Sequence, residues 1–63
     1  MDRLQVSLLR VGDVLPGTQE RVKVAPYRDL RTPAGKVELV VERAGRARVV
    51  TWGARTIVRV SRA

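Results

Sequence analysis

Lys36-Val37-Glu38-Leu39-Val40-Val41-Glu42, Arg43-Ala44-Gly45, Arg46-Ala47-Arg48-Val49-Val50-Thr51-Trp52 and, after Gly53-Ala54-Arg55, Thr56-Ile57-Val58-Arg59-Val60 form the stretch that decides the fold. Short runs rich in valine, broken by glycine, predict a β-hairpin followed by one more strand. A two-residue turn at Ala44-Gly45 requires positive φ at an alanine, whereas a three-residue loop Arg43-Ala44-Gly45 asks it only of Gly45. The three-residue loop is therefore expected. It sets Val41 opposite Ala47, Leu39 opposite Val49 and Val37 opposite Thr51 on a core face. The wet face then pairs Glu42 with Arg46, Val40 with Arg48, Glu38 with Val50 and Lys36 with Trp52.

Upstream, Arg3-Leu4-Gln5-Val6 alternates as a half-buried strand does, with Leu4 and Val6 inward. Ser7 is placed to cap one helical turn through Leu8, Leu9 and Arg10, and Gly12 precedes extended Asp13-Val14-Leu15. Leu9, Val11 and Val14 are core candidates. Asp13 reads as a turn aspartate bonding local amides, since no second carboxylate, histidine or serine is placed to work with it. Pro16-Gly17-Thr18 is turn chemistry, and Glu20 to Ala25 is a strand with Val22 and Val24 on one face and Arg21 and Lys23 on the other. Residues 25–35 contain Pro26 and Pro33 and form the longest loop, with Leu30 anchoring it to the core. In the last strand Val58 and Val60 face the core, while Arg59, Ser61 and Ile57 share the outward phase. Arg62 and Ala63 are expected to fray.

With 63 residues this is one domain, and a chain so short buries only about 60% of the surface its unfolded form exposes. It has no cysteine or histidine, so disulfide and zinc staples are excluded and no metal or cofactor is expected. The start Met1-Asp2-Arg3-Leu4-Gln5 lacks the pattern of a signal peptide, and no apolar run approaches the roughly 20 residues of a membrane span. A cytoplasmic protein with no membrane partner is expected. The absence of a histidine, a cysteine, a phosphate-cradling glycine loop or a spaced carboxylate pair argues against an enzyme and against a small-molecule substrate.

The formal charge is +7, and eleven of the thirteen cations are arginine. Arginine contacts phosphate bidentately and stacks on bases, which suits nucleic acid. The same arginine, valine and alanine bias also follows from a GC-rich genome. Distribution favours the functional reading, because no acidic residue follows Glu42 while Arg43, Arg46, Arg48, Arg55, Arg59 and Arg62 do. The candidate nucleic-acid contacts are Arg46, Arg48, Arg55 and Arg59, with Arg28 and Arg31 from the long loop and with Trp52 or Tyr27 to stack on a base. Glu38 and Glu42 share their sheet face and are placed to neutralise two of these arginines. The second reading is a protein-interaction module, docking on a host protein or on itself through an outward patch of Trp52, Val40, Val50 and Ile57 rimmed by arginine. Tyr27 at a barrel rim and Trp52 within the core are the structural alternatives.

Five short extended segments, a long early loop, a tight distal hairpin and a single turn before the last strand together predict an all-β fold, a small, strongly bent barrel with at most single helical turns. Val11-Gly12-Asp13-Val14-Leu15, Gly35-Lys36-Val37-Glu38-Leu39 and Thr51-Trp52-Gly53-Ala54-Arg55-Thr56-Ile57 resemble the SH3-like barrels found as small stand-alone proteins in actinobacterial phages and prophages. The resemblance spans most of the chain. It implies a single five-stranded SH3-like domain over residues 1–63 and a phage-type accessory protein acting in the host cytoplasm. With one tyrosine, one tryptophan and net positive charge, the chain departs from the acidic, aromatic-rich groove of peptide-binding SH3 domains.

Overall fold

The computed structural model describes residues 2–62. The fold is all-β, with β1 (Asp2–Gln5), β2 (Val14–Leu15), β3 (Glu20–Tyr27), β4 (Lys36–Arg43), β5 (Arg46–Gly53) and β6 (Ile57–Val60), plus one 3-10 turn at Val6–Leu8. These six strands, one more than expected, form a four-stranded sheet in the order β2-β3-β4-β5 and a two-stranded sheet of β1 and β6. All ladders are antiparallel. Among the described residues one isolated bridge, Val14 to Ser61, ties the two sheets, and the ladders do not close into a barrel.

The core is Val6, Leu9, Leu15, Val22, Val37, Leu39, Val41, Val50 and Val60, with Leu4, Trp52, Ala54 and Val58 packed against it. Val58 and Val60 thus face inward as their phase predicts. Val11 does not, being 65% exposed.

The distal hairpin departs from expectation by one residue. Ala44 takes φ 51° and Gly45 φ 78°, a two-residue turn that pairs Arg43 with Arg46, Val41 with Arg48, Leu39 with Val50 and Val37 with Trp52. A slip of one residue turns every β5 side chain over. Val50 replaces Val49 in the core, a neutral exchange, but Trp52 replaces Thr51 and Arg48 comes round to meet Glu20. Left-handed alanine costs about 1–2 kcal/mol, and covering a large apolar side chain is worth about 1.5–3 kcal/mol, so tertiary burial overrides turn preference.

β3 also runs further than its alternation suggests, through Pro26 to Tyr27, and shortens the following loop to 28–35. Its register with β4 shifts between Val22 and Val24 and again between Val24 and Tyr27. Bulges are where a strand tolerates proline, and the first one turns Val24 to the outer face, 42% exposed, although Val22 is fully buried. Leu30 anchors nothing and is fully exposed. The loop is held instead by Asp29 and Thr32. Asp29 Oδ1 accepts from the Arg31 and Thr32 amides, and Thr32 Oγ1 accepts from the Asp29 amide.

The N-terminal turn has Gln5 rather than Ser7 at its cap and no side-chain cap bond. It docks by backbone bonds, Val6 N–H donating to Thr56 C=O at 2.8 Å. Asp13 accepts from the Arg10 amide as a turn aspartate should, and it also pairs with Arg62, Nε to Oδ1 3.1 Å. Arg62 is therefore pinned rather than frayed; Ala63 lies outside the described residues. Among the described residues no helix is long and apolar enough to cross a membrane.

Candidate functional site

A groove of about 390 Å³ is lined from both β5 and β6. The β2–β3 turn forms one lip through Pro16, Gly17 and Thr18, Leu15 and Val58 supply apolar wall, and Arg48, Trp52 and Arg59 line the rest beside Glu20. Alternation along β5 puts Arg48, Val50 and Trp52 on one face. Val50 is spent in the core, whereas Trp52, nearer the sheet margin, is only half-buried and has one side on the groove.

Glu20 gives the groove its electrostatics. Arg48 Nε donates to Glu20 Oε2 at 2.8 Å and Nη2 to Oε1 at 2.9 Å, a two-pronged bond with the carboxylate nearly buried and the guanidinium 60% exposed. The Arg48 hydrogen bond brings the Glu20 carboxyl down to about 2, against a smaller upward push from burial. The same pair raises the Arg48 guanidinium further. Glu38 and Glu42 do not play the neutralising part expected of them. Glu42 pairs with Lys23 at 3.2 Å, and Glu38 accepts from the Tyr27 hydroxyl at 3.2 Å. Tyr27 is raised by desolvation first and by Glu38 second.

Of the residues singled out from sequence, the groove brings together Arg48, Trp52 and Arg59. Arg46 is exposed on the same β5 face, two residues towards the hairpin tip, and Arg55 is exposed in the β5–β6 turn. Arg28 and Arg31 are exposed on the β3–β4 loop, and Tyr27 sits on the outer sheet face opposite Glu38. Neither they nor Tyr27 line the groove. The expected apolar patch is broken up. Val50 is 8% exposed and belongs to the core, Trp52 faces inward with it, and Ile57 is 57% exposed on β6. Val40 keeps the outer face, where its neighbours are Val24 and Val49.

Two ladders place arginines directly opposite one another, Arg43 with Arg46 and Arg3 with Arg59. Like charges in that position are destabilising. Glu20 is the site residue that sequence reading passed over, although its phase announces it, two positions before the inward Val22. An inward carboxylate needs a cation, and only the slipped β5 register supplies one.

No protein-family model, curated protein or solved structure matches the chain.

Proposed function

We propose that this chain is a small non-enzymatic module that binds nucleic acid, with one strand lying in the groove between β5 and β6. The fold is read as an SH3-like arrangement left open between the edges β5 and β1: a bent three-stranded meander (β3, β4, β5), a short turn, and a last strand returning to pair with the first. The observation that carries the function is the grouping of Trp52 with Arg48 and Arg59 in one open groove, with Arg59 facing Arg3 across the β1–β6 ladder. A half-buried indole offers a face for a base, and Arg59, together with the exposed side of the Arg48 guanidinium whose charge Glu20 already meets, offers donors to the backbone phosphates. Glu20 holds the Arg48 fork in place without capping its exposed side.

The test is fluorescence anisotropy of a labelled single-stranded oligonucleotide and of its duplex, at low and at physiological salt. Binding is expected to survive physiological salt, to weaken steeply as salt rises, and to fall roughly tenfold or more in Trp52→Leu, since stacking is worth about 1–3 kcal/mol per base. Undiminished affinity in Trp52→Leu rules out the groove as the site. Absence of binding at physiological salt rules out the function.

A further inference from the structure

β5 is an edge strand of eight residues. In a hairpin with a two-residue turn the flanking pair exchanges both hydrogen bonds, so Arg46, Arg48, Val50 and Trp52 turn their backbone groups to β4. The Ala54 amide donating to Gly35 C=O continues the same phase. Ala47, Val49 and Thr51 consequently aim their N–H and C=O groups away from the sheet, and none of these has a backbone partner among the described residues. Some of the usual guards of an edge are missing from this segment; its charges are Arg46 and Arg48, and Arg48 is neutralised by Glu20. The segment contains no proline or lysine, and the register shifts of the sheet lie between β3 and β4, not here.

We infer that this edge pairs with β5 of a second copy of the chain, antiparallel about a two-fold axis at Val49. The register is self-complementary: Val49 meets Val49 of the other copy, Ala47 meets Thr51, and all the outward groups of these residues are satisfied. Side chains agree with it on both faces. On the outer face Val24, Val40 and Val49 are consecutive cross-strand partners, all wholly or partly exposed, and the two-fold makes their stripe continuous through both copies. On the inner face each Arg46 falls opposite the other copy's Trp52, a cation over an aromatic ring, instead of opposite another arginine. Arg48 falls opposite Val50, and its charge is already met by Glu20. The bonds formed lie in the plane of the sheet, but the other copy's Arg46 takes the Trp52 ring that also lines the groove, so the dimer and a base stacked on Trp52 compete, and the dimer is tested in the absence of nucleic acid. A ladder this short is at the weak end of specific interfaces, so the dimer forms at high protein concentration.

The chain has no cysteine, so single-cysteine variants report the contact cleanly. Opposed residues in a hydrogen-bonded pair have Cα atoms about 5.5 Å apart, within disulfide range. Under mild oxidation Val49→Cys is expected to form a disulfide-linked pair at least tenfold faster than Leu30→Cys, which is fully exposed on the β3–β4 loop and reports random collision. Mixed Ala47→Cys and Thr51→Cys are expected to cross-link to each other in preference to themselves. Val49→Lys, at a position already 59% exposed, sets like charges face to face on the axis and is expected to weaken self-association by at least tenfold in sedimentation. Equal rates for Val49→Cys and Leu30→Cys, or unchanged association in Val49→Lys, overturn the inference.

Discussion

Arg48 of β5 reaches across β4 to Glu20 of β3 and closes a two-pronged bond, 2.8 and 2.9 Å, at the base of the groove. It joins strands that are not neighbours and fixes the register of the hairpin between them. It also holds one of the groove's cations in a set direction.

That bond makes stability depend on acid. The folded-state pKa of Glu20 is about 2, below its ordinary 4.5. A depressed carboxylate contributes stability that is full above its unfolded pKa and is lost as pH falls through the folded one. Chemical denaturation should therefore show stability declining from about pH 4.5 towards pH 2, the window those values define. In Glu20→Gln the decline over that range should be shallower. An identical acid limb in Glu20→Gln contradicts the assignment.

Ala44 is the strained residue of the turn, at φ 51°. Glycine there should raise stability by about 1 kcal/mol, since it takes the left-handed region without a Cβ penalty. Denaturant midpoints of Ala44→Gly and wild type decide it. A three-residue loop would give the opposite sign, because glycine at a right-handed position only adds unfolded-state entropy.

Leu39 is fully buried at the centre of β4. Leu39→Ala should cost about 2–5 kcal/mol. Small domains have little more than that to lose, so thermal unfolding of this variant should begin near room temperature. Ile57→Ser, at an exposed position of β6, should change stability by no more than about 0.5 kcal/mol.

Much of this was legible in the residues and some was not, for physical reasons. The strands announce themselves by alternation, and Val6, Leu9, Val22, Leu39 and Val60 reach the core as their phase requires. The hairpin register was not legible from the turn alone, because a local preference at Ala44 of one or two kcal/mol competes with the burial of Trp52 six residues from the turn's far end. Val24 turns outward at a bulge that no periodicity marks, though Pro26 close by hints at irregular pairing. The arginines of the candidate site were visible by composition, but their grouping was not. Arg48 and Arg59 line one groove only because β5 slipped, while Arg28 and Arg31 went elsewhere on the β3–β4 loop.

Trp52 is the chain's only tryptophan, so its fluorescence reports on the groove without a label. The most direct measurement is a titration of the protein with single-stranded oligonucleotide at physiological salt, following that emission. Saturable quenching, weakened as salt rises and weakened again in Arg59→Gln, is the expected result. Binding detected by another probe while the Trp52 emission stays constant places the nucleic acid elsewhere and contradicts the groove as the site.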